Sequence, residues 1–450
     1  MEPLQLCEIA RRLGCLWEGQ EQITKITTDS RNVPVGSLFV ALPGERFDGH
    51  DYVAGALEQG AAAAVVSREC PGNPEKFLRV ADTRDALIAI GGLYREKFQI
   101  KCIGVTGSVG KTTAKEMIAA VVKTQYETLW TEGNRNNEIG TPETLFRLTP
   151  KTQAAVIEMG MQGLGEIAKL AAAVKPDIGV ITNIGVSHIW QLGTRENILK
   201  AKLELAEALP DGAKLFLCGD NDLLSGVKIP RLQVGFYGID APQLDMRAVE
   251  IQENGLETDF VVQAGKEACR VHLPCAGRHN VENALAALSV GRALGIPLAA
   301  GAKGLESYQP AGMRQKVVKW NDMIIVEDCY NASPDSMRAA LETLAHFPGA
   351  SYRIAVLSDM LELGPVTKQS HYDIGSFCAQ NKADLLLCYG EASADMAKGA
   401  EKGGMEALHF SDKEALLKAL QKRLRPGCVV WFKGSRGMHM ETLIEALYEG

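Results

Sequence analysis

The run Thr106-Gly107-Ser108-Val109-Gly110-Lys111-Thr112-Thr113 combines two glycines, a lysine and several hydroxyls in the pattern that a polyphosphate needs. The glycines let backbone N–H groups turn toward a phosphate chain at the positive end of the helix that follows. Lys111 can reach the β- and γ-phosphates of ATP, and the Thr112 hydroxyl can bind Mg2+. A strict phosphate-loop pattern asks for Gly where Val105 stands, so the match is to the Gly-Lys-Thr half. A merely structural turn would leave the lysine and the two threonines unexplained, so the run is read as a nucleotide site. Such a loop needs an acid for its metal at the end of a neighbouring strand. Glu158, which ends the apolar run Ala154 to Ile157, is the candidate. Many strand-end glutamates simply face solvent, and only the coupling to the loop favours this one.

Two further residues carry open alternatives. His188 follows Asn183-Ile184-Gly185-Val186-Ser187; a lone histidine is more often packed or solvated than a ligand, and Mg2+ prefers oxygen. Lys202 falls on the apolar stripe of Ile198, Leu205 and Leu209, whereas Lys200 shares a polar stripe with Glu204 and Glu207. A lysine so placed snorkels, pairs or loses its proton. A neutral amine can take up CO2 to form a carbamate able to help hold a metal, but a snorkelling stem is the commoner outcome.

The elements that would position these groups alternate between strand and helix. Short apolar runs at 37–42 and 62–66 precede the buried run 101–105, and 154–160, 178–185 and 214–220 continue the series. A further series begins near 315 with MIIVED, RIAVLSD, DLLLCYG and CVVWFKG. The expected class is α/β in three domains. They are a small αβ N-terminal domain (1–98), a phosphate-loop central domain with a mostly parallel sheet (99–313) and a Rossmann-like C-terminal domain (314–450). A hinge is expected at Gly312-Met313-Arg314. Asp328, Asp359 and Lys433 each fall at the carboxyl end of a predicted strand, where open α/β sheets bind ligands. Ser333-Pro334-Asp335 has the cap, the proline and the early acid of a helix start. For Lys433 and Arg436, position alone favours a solvated basic turn.

Bulk properties narrow the function. The chain has 450 residues, 46% apolar and 23% charged, with a net charge of −7. That length needs more than one core, and the acidic balance disfavours a nucleic-acid partner. Eleven cysteines stand singly with no C-x-x-C, against a zinc ribbon or disulfide framework. The first residues lack a signal-peptide pattern, and no apolar window is long enough for a membrane span. A cytoplasmic protein is expected.

Several separate blocks, taken together, resemble the Mur ligase family over essentially the whole chain. They are TTDSR (27–31), SLFVALPGERFDGHDYV (37–53), TGSVGKTTAKE (106–116) and TEGNRNNEIGTP (131–142), with AVIEMG (155–160), NIGVSH (183–188) and AKLE (201–204). GRHNVENALAAL (277–288), MR (313–314), DCYNASPDSMRAAL (328–341), DMLELG (359–364) and KGSRGM (433–438) follow in order. The resemblance implies an ATP- and Mg2+-dependent ligase of bacterial cell-wall synthesis, a monomer acting on UDP-N-acetylmuramoyl-tripeptide and D-alanyl-D-alanine. It implies that Lys111, Thr112, Glu158 and His188 are phosphate and metal residues, and that Lys202 is the carbamylated position. Asn280 and Asn283, on one helix face, look like adenine-side residues. Arg314 resembles an arginine reaching the γ-phosphate, Asp328 the acid near the ribose, and Asn331 a member of the same loop. Ser30 and Arg31 match the uridine-nucleotide contact, and Asp359, Lys433, Ser435 and Arg436 fall in loops facing the site.

The chain also departs from the family pattern. Ser333-Pro334 stands where Asn-Pro is common, Ser358 where Gly is, and Ile189-Trp190 where Leu-Glu is; Met161-Gln162-Gly163 differs as well. These changes spare the phosphate and metal residues and bear on the fit of the peptide. A folylpolyglutamate-type ligase or one adding a single amino acid is an alternative, which TEGNRNNEIGTP and YNASPDSM disfavour. A non-catalytic ATP-binding switch is another; the complete set Lys111, Glu158, His188, Lys202 and Arg314 counts against it.

Overall fold

The computed structural model describes residues 1–44, 46–310 and 312–449. Its strands form where apolar runs are buried on both faces. Five of the six residues of Lys101–Thr106 and all five of Ala154–Glu158 are buried, the pattern of a parallel sheet covered by helices. These two strands are neighbours in a nine-stranded sheet, with Val105 opposite Glu158. Ile178–Ile181 pairs on the other side and sets Ile181 opposite Thr106. The register therefore brings three strand ends to one edge, where the phosphate loop begins.

The sheet is parallel from Thr128–Trp130 through Met246–Asn254, and then two antiparallel strands, Glu257–Ala264 and Glu267–Leu273, extend it. This hairpin arm is absent from the sequence reading. Its strands mix buried and exposed residues, with charged groups such as Glu257, Asp259, Glu267 and Arg270, so no continuous apolar run announces it.

A four-stranded parallel sheet (Ile26–Thr27, Leu38–Val40, Ala63–Val66, Phe77–Arg79) lies in the N-terminal part. Two short strands, Leu4–Gln5 and Gln22–Ile23, pair beside it. Helix Thr83–Arg95 ties this part to the central sheet: the Tyr94 hydroxyl donates to the Leu148 carbonyl at 2.7 Å. One hydrophobic cluster accordingly runs from Leu4 to Tyr308.

The C-terminal part is a six-stranded sheet in which Cys428–Lys433 lies between Met323–Asp328 and Tyr352–Ser358. All of its pairs are parallel except Lys316–Trp320 with Met323–Asp328. Asp328 and Lys433 are directly opposite, at a sheet edge where the strand order reverses. Among the described residues no helix is long and apolar enough to cross a membrane.

Candidate active site

Helix Lys111–Val122 begins at Gly110, whose φ of +82° is open to glycine. A Cβ there would lie 2.8 Å from Asn283 Oδ1, and one on Gly107 would overlap Thr182 Oγ1. Both glycines let the loop wrap closely around its neighbours. Its shape is held from the next strand end: Asn183 Oδ1 accepts from Val109 N at 2.8 Å, and the Thr182 hydroxyl donates to the Val109 carbonyl at 2.6 Å. Lys111 Nζ donates to the carbonyls of Gly107 (2.8 Å) and Ser108 (3.2 Å). Burial lowers its pKa, Glu158 opposes the shift and Arg314 adds to it.

Glu158 is 1% exposed. Its Oε1 accepts from Thr112 Oγ1 (3.2 Å) and Asn136 Nδ2 (2.7 Å), while Oε2 is buried with no partner among the described residues. A buried carboxylate oxygen lacking a donor, beside a hydroxyl and at a phosphate loop, fits a hard divalent cation that takes oxygen ligands. His188 lines the same cleft. Burial first, then the charges of Lys111 and Lys202, bring its pKa down to about 4, so the ring is neutral near pH 7.

The opposite wall comes from the C-terminal sheet. Arg314, Asp328, Tyr330, Asn331 and Lys433 line one cleft of about 830 Å3 together with the phosphate loop, Glu158, Asn280 and Asn283. The Arg314 guanidinium lies 3.9 Å over the Tyr330 ring. Lys433 Nζ donates to Asp328 Oδ2 at 2.7 Å and to the Asn331 carbonyl at 3.3 Å. Its amine is thus held by this chain, fixing the loop after Asp328. Asn280 Nδ2 donates to Gln315 Oε1 at 2.8 Å, joining the central helix Arg278–Ala293 to the segment after Arg314.

Residues 22–90 match the description "Mur ligase family, catalytic domain", 105–291 "Mur ligase middle domain" and 313–436 "Mur ligase, glutamate ligase domain". The chain is 38% identical over 435 residues to UDP-N-acetylmuramoyl-tripeptide–D-alanyl-D-alanine ligase of Bacillus subtilis (strain 168), covering 96% of this chain and 94% of that protein. The chain belongs to the Mur ligase family. This Mur ligase is also 35% identical over 429 residues to the Escherichia coli (strain K12) protein of the same name, covering 94% and 93%. Its fold matches a crystal structure of MurF from Acinetobacter baumannii with a TM-score of 0.92 and 34% identity, covering both chains fully. It matches MurF ligase from Thermotoga maritima in complex with ADP at 0.86 and 28%, covering 94% and 97%.

Not every expected residue of this Mur ligase reaches the cleft. Lys202 is 2% exposed and is not among the residues lining the cleft, but it lies close enough for its charge to lower the pKa of His188. Burial, and then Lys111, push its own pKa well down. Ser30 and Arg31 lie beyond strand Ile26–Thr27, away from the cleft, with Arg31 exposed and paired to Asp29 at 2.8 Å. Asp359 is buried, but its carboxylate accepts from Ala392 N (3.2 Å) and Ser393 N (2.7 Å), capping helix Ser393–Lys402. Ser435 Oγ accepts from Leu361 N at 3.0 Å, and Arg436 pairs with Glu441 at 3.1 Å. These three stabilise the loops and leave the cleft lining to others.

Conversely, Asn136, Thr182, Asn183, Gln315 and Tyr330 shape the site without having been singled out. Asn136, Asn183 and Tyr330 stand inside the sequence blocks quoted above, which was the available signal. Their partners are far away along the chain.

Proposed function

We propose that this Mur ligase joins D-alanyl-D-alanine to UDP-N-acetylmuramoyl-tripeptide with ATP, making the pentapeptide precursor of peptidoglycan, and that it acts as a cytoplasmic monomer. The observation that carries the reading is a single cleft lined by a phosphate loop and buried Glu158 on one side and by Arg314, Asp328 and Lys433 on the other. Full-length similarity to proteins carrying that activity in their names supports the choice of substrates.

A peptide carboxylate is inert toward amines. In this reading one of its oxygens attacks the γ-phosphorus of ATP, the bond to the β-γ bridging oxygen breaks, and acyl phosphate and ADP result. The amine of D-alanyl-D-alanine, as its free base, then attacks the acyl carbon. The tetrahedral intermediate loses the nitrogen's extra proton and expels phosphate with the oxygen that bridged carbon and phosphorus, so that the amide and HPO4(2−) result. Lys111 and the loop N–H groups bind the phosphates, and Arg314, aimed across the cleft from its seat on Tyr330, offsets charge on the transferred group. Thr112, Glu158 and His188, with Lys202 as a carbamate, would hold Mg2+, which supplies charge neutralisation at the phosphates when bound. Asn280 and Asn283 border the adenine side, and Asp328, oriented by Lys433, takes the ribose side with Asn331. Ser30 and Arg31 receive the uridine nucleotide. Closure of the two walls over the substrates would keep water from the acyl phosphate.

The test is ADP release and pentapeptide formation by the purified chain. Both should require the nucleotide-sugar tripeptide and the dipeptide together. Equal ADP release with either omitted would refute the assignment.

A further inference from the structure

Short helix Ile189–Leu192 projects Trp190 from the central part of the molecule, where the sequence departs from the family pattern. The indole is 62% exposed on one face, but the other face lies on Gly364. A Cβ on Gly364 would overlap ring atom Cε3 and lie 2.8 Å from Cδ2 and 3.1 Å from Cζ3. Gly364 also has φ +54°, so only glycine gives the ring its seat without strain.

The same segment is gripped at two further points by the C-terminal part. The Asp335 carboxyl sits against Gly185, where an added Cβ would overlap Oδ2. Glu362 Oε2 lies 3.4 Å from His188 Nδ1, a buried nitrogen with no hydrogen bond among the described residues. His188 holds φ +64°, in the left-handed region, as the residue that starts the short helix. A carboxylate beside Nδ1 favours the tautomer protonated there and leaves Nε2 for the cleft.

We propose that Trp190, seated on Gly364, is a positioning residue: the contact brings Glu362 to His188 Nδ1 and so fixes His188 in the cleft when the C-terminal loops are in place. This rests on the reading of His188 given above. The coupling runs one way through the chain. Trp190 lies two residues from His188 and Gly364 lies two from Glu362, so registering the ring on the glycine registers the imidazole on the carboxylate.

The full-length variants W190A, W190F and G364A test it. W190A should lower kcat by about 10²-fold, the scale of a small misplacement of a catalytic group, with KM for the nucleotide-sugar tripeptide unchanged. W190F, which keeps an aromatic face, should restore most of the loss, and W190A/G364A should be no worse than W190A alone. Independently of turnover, the emission of Trp190, taken in each background as the difference from the same background carrying W190F, should move to longer wavelength in G364A as the ring leaves its seat. W190A alters an exposed ring and stays decisive whatever G364A does to folding. Parent-level kcat in W190A, or a loss that W190F does not restore, overturns the proposal alone. A parent that makes no product overturns the functional reading and this one with it.

Discussion

Replacing Lys202 by Met keeps the length of the stem and removes the amine. The side chain is 2% exposed beside Ile198, Leu205 and Leu209, all buried. Burial and the charge of Lys111 lower its pKa. An ammonium there is penalised, whereas the unfolded chain keeps the proton up to the ordinary value of 10.5. The native state therefore binds fewer protons than the unfolded state at neutral pH, and stability is lost as pH falls below 10.5. Met has no such penalty, and apolar replacement of buried charge typically gains about 1–4 kcal/mol. For a cooperative unit of about 200 residues each kcal/mol raises Tm by about 2–4 °C. In CO2-depleted, metal-free buffer K202M should thus melt higher than the parent near pH 7, and the gap should narrow as pH rises toward 10.5. Ligation should meanwhile fall by about 10²–10³-fold, because the carbamate and the metal it would steady are lost. Thermal melts by circular dichroism at two pH values, run beside the ADP-release assay, measure both effects. A K202M protein that melts lower than the parent would show that the amine holds the fold. One that ligates at the parent rate would remove Lys202 from the site.

Glu158→Gln keeps an oxygen for Thr112 but discards the charge at the unpartnered oxygen. Ligation should fall by about 10²–10³-fold and the Mg2+ requirement should rise; an unchanged Mg2+ titration would refute the metal role. Burial holds His279 at about 4, so its contribution to stability is present above the ordinary 6.5 and is lost as pH falls from there toward 4. Up to about 3 kcal/mol is at stake for that ring, and H279Q should flatten the urea-midpoint profile between pH 7.5 and 5; an unaltered slope would contradict the assignment. Asp359→Ala removes the cap of helix Ser393–Lys402 and should cost about 1 kcal/mol while leaving KM for both substrates unchanged. A rise in KM for the dipeptide without loss of stability would return Asp359 to the binding site.

The apolar runs at 101–105, 154–157, 178–181 and 323–327 were readable as strands because each is buried on both faces. Ser333 caps helix Pro334–Ala345 with Pro334 in its first turn, as local chemistry alone requires. The antiparallel arm was not readable, because half of each strand faces water and carries charge. The phosphate loop was legible for a different reason. Its lysine and threonines act within a few residues of the glycines that shape the turn.

The amino-acid order by itself determined the nucleotide loop and the strand-helix alternation. Both depend on contacts within about one turn or one strand. Tertiary structure alone decided that Asn183 shapes a loop 74 residues earlier, that Lys433 orients Asp328 across 105 residues, and that Glu362 faces His188. It also turned Asp359 toward a helix end and buried Lys202. Such pairings follow from strand order and register, which burial of the whole core selects, and no local run of residues carries that information.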